Sequence, residues 1–141
     1  MLCQLLVLRS EGTRGVRGES DSGGVEVSGT FTMTGGAISG NQAEGGGGVS
    51  VYGDSDDCPC PGVFTMSGGT ITGNVAYDGF GGGMYMEGDA VVTLTGGEIS
   101  GNAAVSWGEY GGVAVFSSAF TVAGNPVVFG NTNDVGEASN V

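Results

Sequence analysis

The stretch PGVFTMSGGTITGN runs from Pro61 to Asn74, and a close copy, GTFTMTGGAISGN, runs from Gly29 to Asn41. A third copy, VTLTGGEISGN, spans Val92 to Asn102, and a diverged fourth, FTVAGNPVVFGN, spans Phe120 to Asn131. The closing asparagines Asn41, Asn74, Asn102 and Asn131 are 33, 28 and 29 residues apart. The first interval is long because YGDSDDCPCPG, Tyr52 to Gly62, swells one loop. Each copy is preceded by a Gly-Gly pair and an apolar-x-apolar triplet: GGVEV at Gly23, GGVSV at Gly47, GGMYM at Gly82 and GGVAV at Gly111. A repeat of this length marks a solenoid or an array built from one supersecondary unit.

Within each block the apolar residues alternate with others, a period of two that argues strand. In VEV, VSV, MYM and VAV the outer residues are apolar, and the same holds for FTM, FTM, VTL and FTV. The third block supplies Ile38, Ile71, Ile99 and Val128. Glycine and asparagine fall between the blocks, where the chain must bend through positive φ. Three short strands separated by bends make one turn of a coil. Equivalent residues of successive turns then stack about 4.8 Å apart in parallel strands. No single repeat can bury its apolar side, so stacking creates the core. Helical crossovers are absent, which disfavours a βαβ sheet. The sequence therefore predicts an all-β fold, a parallel β-helix of about four three-strand turns over residues 23–131. Residues 1–22 are expected as a non-repeat segment, disordered or a fragment boundary, and residues 132–141 as a C-terminal tail. The expected core ladders are Val25/Val49/Met84/Val113, Val27/Val51/Met86/Val115, Phe31/Phe64/Val92/Phe120, Met33/Met66/Leu94/Val122 and the Ile38 set. The asparagines are expected to stack at a turn with their amides hydrogen-bonded.

Composition narrows the function. With 32 glycines among 141 residues, disorder is the first alternative. The 39% of hydrophobic residues keep a regular register, which low-complexity tracts seldom do. The net charge is −12, and the only basic residues, Arg9, Arg14 and Arg17, lie near the start. Nucleic acid is excluded as a partner, since phosphate binding runs on Lys and Arg. Docking on an anionic membrane is disfavoured for the same reason, and no stretch has the length of a membrane-spanning helix. The apolar run MLCQLLVL is short and lacks the marks of a secretory signal.

The segments GGTITGN, GGEISGN, FTMSGG and GGGMYM resemble the repeats of bacterial and archaeal right-handed parallel β-helix surface proteins, the adhesin-like repeats of the pectate-lyase superfamily. GGAI at Gly35 is similar to a motif of polymorphic outer-membrane proteins. The resemblance covers Gly23 to Asn131. It implies a right-handed coil, an extracellular or cell-surface location, and a role that is largely that of a scaffold.

The loops that follow the asparagines carry the candidate binding residues. They contain Glu44, Tyr77, Asp78, Phe80, Trp107, Glu109 and Tyr110. Aromatic faces stack on sugar rings and carboxylates accept from hydroxyls, so Tyr77, Asp78, Phe80, Trp107, Glu109 and Tyr110 form the expected glycan face. The plainer reading has the rings covering the flank of the coil and the acids solvating it. No catalytic residue is assigned. Lyases of the superfamily, as the resemblance implies, use a basic residue, and this coil has none. The chain also lacks the histidine of Ser-His or Cys-His nucleophiles. A hydrolase using paired carboxylates is the competing class. Asp54, Asp56 and Asp57 are hard oxygen donors suited in principle to Ca²⁺, although a solvated acidic loop is the better explanation of them. Cys58 and Cys60 have too few companions for a zinc site. Outward-facing Thr32/Thr34, Thr65/Ser67, Thr93/Thr95 and Thr121 also form an array of the kind found on ice-binding solenoids. Both ends of such a coil expose strand edges unless capped. Neither terminal segment contains an amphipathic helix, so end-to-end self-association is expected. The combined expectation is a non-enzymatic surface module, stalk or adhesin, contacting glycans or host-surface molecules without a cofactor other than Ca²⁺.

Overall fold

The structure, a computed structural model, describes residues 9–11, 23–53, 61–105, 110–117 and 119–141, with residues 9–11 described by backbone alone. Among the described residues every regular element is a strand. After β1 (Arg9–Glu11), the first coil contains β2 (Val25–Val27), β3 (Thr30–Ser39) and β4 (Gln42–Ala43). The second contains β5 (Val49–Val51), β6 (Val63–Thr72) and β7 (Val75–Ala76). The third contains β8 (Met84–Glu87), β9 (Val91–Leu94), β10 (Glu98–Ser100) and β11 (Ala103–Ala104). The last contains β12 (Val113–Phe116), β13 (Ala119–Val122) and β14 (Val127–Phe129). Every strand pairing is parallel. The fold is a parallel β-solenoid of about three turns. The sequence led us to expect about four. The fourth copy stacks β12, β13 and β14 but forms no full strand on the third face, where only a bridge joins Ala103 to Thr132.

Three sheets run along the coil. One is β2-β5-β8-β12. The second joins β3 and β6 to β9 and β10, and through them to β13 and β14. The third is the two-residue ladder β4-β7-β11. This arrangement differs from the expected one. The FTM and Ile blocks do not occupy separate faces: β3 and β6 run through both, with a register shift after Met33. The Gly-Gly between them bends the strand, with positive φ at Gly36 and Gly69, and pairing resumes after a break in register; in the third and fourth coils the two blocks are separate strands. The third face comes instead from the residues just after each asparagine, where Ala43, Ala76 and Ala104 are buried. Alanine carries little periodic signal, and two residues are too few to show alternation.

All five core ladders form in the expected register. Val25 aligns with Val49, Met84 and Val113, Phe31 with Phe64, Val92 and Phe120, and Ile38 with Ile71, Ile99 and Val128. Phe31 and Phe64 stack with centroids 5.4 Å apart and planes 4° from parallel. Depth in the stack decides burial. Met66 is 0% exposed and Val122, on the same ladder, is 58% exposed because no further coil covers it. Burying such a side chain contributes about 1.5–3 kcal/mol, so the middle coils supply most of the apolar stabilisation.

The asparagines form the polar spine. Asn74 Oδ1 accepts from the backbone N–H and the side-chain amide of Asn41, both at 3.0 Å. Asn74 Nδ2 donates to the Ile38 carbonyl and to Asn102 Oδ1, both at 3.0 Å. Asn102 and Asn131 repeat the pattern one coil further on. The amide is the one neutral side chain that accepts and donates in this way at every level, and all four side chains are buried. The glycine before each asparagine makes the corner, with φ between 63° and 65° at Gly40, Gly73 and Gly130 and 60° at Gly101.

The two termini add to the coil. β1 pairs with residues 37–39 of β3, so part of the segment expected to lie outside the repeat extends the second sheet. The tail folds back on the last coil. Asn140 Oδ1 accepts from Asn131 N and Nδ2 at 3.3 and 3.1 Å and so continues the asparagine ladder. Gly112 N–H donates to Ser139 O and Val113 N–H to Asn140 O, both at 2.9 Å, which covers the edge of β12. A cap made of extended backbone needs no amphipathic helix.

Candidate functional site

The loops after the asparagines stack on one another. Tyr77 N–H donates to Ala43 O at 2.9 Å and Asp78 N–H to Glu44 O at 3.2 Å. The loops were expected to emerge along an edge of the coil. Instead they fold over the outer face of the β2-β5-β8-β12 sheet, where outward-pointing Ser50 and Ala114 are buried. The small residues make this possible: a Cβ on Gly79 would come within 2.6 Å of the Glu44 carbonyl oxygen.

Folding over places the loop rings on rings that project from the strands. Phe80 lies 5.3 Å from Phe116 and 6.0 Å from Tyr110. Tyr85 lies 5.7 Å from Phe116 and 6.2 Å from Tyr52, and Tyr110 meets Phe116 edge-on at 6.1 Å. These separations and tilts are the favourable ones for aromatic pairs. The rings fill alternate outward positions: Tyr85 points out because Met84 and Met86 point in, and Phe116 pairs in register with Glu87.

Beside this cluster lies a cleft of about 300 Å³ lined by Glu44, Tyr52, Asp78, Phe80, Tyr85 and Glu87, with Gly45 and Gly79 completing its wall. It is at the small end of the range for ligand sites. The Tyr85 hydroxyl donates to the Glu87 carboxylate, which fixes the orientation of both. Asp78 and Glu87 are exposed to solvent and Glu44 is half-buried. The cleft thus offers three carboxylates as acceptors against three aromatic faces.

Of the residues expected from sequence, the structure brings Asp78 and Phe80 into the cleft and Tyr110 into the ring cluster that supports it. Tyr77 is half-buried and does not line it. Trp107 and Glu109, the acidic triplet Asp54, Asp56 and Asp57, and Cys58 and Cys60 lie outside the described residues. Tyr52, Tyr85 and Glu87 were missed as site residues. Their signal was the break in alternation, where an aromatic or acid replaces a small outward residue next to an apolar inward pair. Among the described residues no cluster of three His, Cys, Asp or Glu side chains could hold a metal ion. No helix among them is long and apolar enough to cross a membrane.

No family model, no curated protein and no solved structure matches the chain.

Proposed function

We propose that the chain is a non-enzymatic extracellular or cell-surface module, a rigid β-solenoid stalk or adhesive surface that contacts neutral glycans through the cleft at Glu44, Asp78 and Phe80. In this reading the coil is right-handed, as in the surface proteins its repeats resemble. The observation that carries the proposal is the cleft itself, which sets the faces of Tyr52, Phe80 and Tyr85 against three carboxylates. A sugar ring presents C–H groups to an aromatic face and O–H donors to carboxylates, so one ligand satisfies both sets. Three carboxylates in a chain of net charge −12 disfavour anionic glycans.

A glycan array followed by calorimetric titration tests this, with Phe80→Ala and Asp78→Asn beside the wild type and folding checked by circular dichroism. The expected result is selective binding of a neutral glycan that each variant weakens about tenfold or more, as for a central aromatic contact. Absence of binding by the wild type, or equal binding by both variants, overturns the proposal. Release of reducing sugar during the titration replaces it with a carboxylate-dependent hydrolase.

A further inference from the structure

The two ends of the solenoid are not alike. In the first coil the inward side chains are covered: Phe31 is 1% exposed and Met33 3%. In the last coil the inward Val122 is 58% exposed and the inward Val128 only partly buried, and the outward Val127 and Phe129 are exposed beside them. The tail covers the edge of β12 through Ser139 and Asn140. It leaves the other sheet open: among the described residues β13 pairs only with β9, and β14 only with β10. The far edge of each strand is therefore a row of backbone donors and acceptors flanked by apolar side chains.

Exposed edges are ordinarily protected by charged side chains, proline or a covering element. Here none of these lies on the strands. Residues 110–133 contain no Asp, Glu, Lys or Arg in a chain of net charge −12, and Pro126 sits in the link between β13 and β14. Strands β13 and β14 themselves therefore bring no charge to a second copy, and the acids nearest in the chain, Asp134 and Glu137, lie on the tail over β12. A head-to-tail partner has no seat, because the first coil's apolar side chains are already covered.

We propose that the C-terminal end of the solenoid is a dimerisation surface. Across a two-fold axis at the bend between the two strands, the edge of β13 in one copy pairs antiparallel with the edge of β14 in the other. Antiparallel pairing keeps each side chain on its own face. It sets Val122 of each copy over Val128 of the other, both inward-facing, and continues the core across the junction. The contact is isologous, so it closes at two copies rather than growing into a fibre.

Sedimentation velocity under reducing conditions, from micromolar to millimolar protein, tests this. The wild type is expected to show a reversible monomer–dimer equilibrium with no larger species. Val122→Lys and Phe129→Lys alter exposed positions, so both are expected to keep the wild-type circular dichroism spectrum. Each should weaken association about 100-fold or more, because each places two unpaired lysine charges in an apolar seam. Thr30→Lys, at the other end, should associate as the wild type does. The proposal is overturned if the wild type stays monomeric throughout, if both lysine variants dimerise normally, or if a ladder of higher oligomers forms.

Discussion

Replacing Asn102 with alanine tests the polar spine directly. The Asn102 side chain accepts from Asn74 N and Asn74 Nδ2 at 3.0 Å, and donates to Ile71 O at 3.0 Å and Asn131 Oδ1 at 2.9 Å. Alanine removes all four bonds. The Asn74 backbone N–H and one Asn74 amide hydrogen are then left without an acceptor in a dry interior, since Asn74 is 0% exposed. Each orphaned donor costs about 1–3 kcal/mol, so the expected loss is about 2–6 kcal/mol. That is a large share of the roughly 5–15 kcal/mol that holds a domain folded. The matched control is Asn140→Ala, which removes the last acceptor of the same ladder. There the donors belong to Asn131, itself 0% exposed, but the acceptor Asn140 is half-buried at the end of the stack, so its truncation lets water reach them and the loss should be about 0.5–1.5 kcal/mol. Urea unfolding followed by circular dichroism measures both. Equal losses within about 0.5 kcal/mol would falsify the reasoning, because position in the ladder would then not govern the cost.

Position should govern the apolar ladders too. Met66→Ala is expected to cost about 2–5 kcal/mol, and Val122→Ala, which truncates a mostly exposed side chain on the same ladder, less than about 1 kcal/mol in the same urea assay. Two glycines should separate contact from conformation. A Cβ on Gly48 would lie 2.5 Å from the Gly83 carbonyl oxygen and 2.9 Å from Asn74 Nδ2, whereas Gly73 has φ of +64° and no neighbour closer than 4.0 Å. Gly73→Ala is therefore expected to cost about 1–2 kcal/mol of left-handed strain, and Gly48→Ala more, with the larger fall in Tm on thermal unfolding.

Strand-sized blocks, their order and their register were determined by the sequence alone. Phe31, Phe64, Val92 and Phe120 fall on one ladder because the side-chain period of a strand is fixed at two and the blocks repeat in the same order. The buried asparagines were legible for a related reason: an amide recurring at each corner can satisfy its neighbours at every level. The resemblance to surface β-helix repeats added an expectation of right-handedness and location, which belongs with the proposed function.

Only the tertiary structure decided how the blocks were shared among faces, what covered the ends and where the cleft lay. The FTM and Ile blocks joined one sheet because in the first two coils pairing resumes past the intervening glycines after a shift in register. The third face rests on Ala43, Ala76 and Ala104, each two residues after a ladder asparagine; a two-residue strand shows no alternation by which its inward side could be read. The tail became a cap through Asn140, which lies nine residues beyond Asn131 instead of one repeat away. Glu44 and Asp78 reached Tyr52, Tyr85 and Glu87 because glycine-rich loops fold over the outer face of a sheet. Periodicity sets which side chains point inward. What outward side chains meet depends on loops whose paths no local pattern encodes.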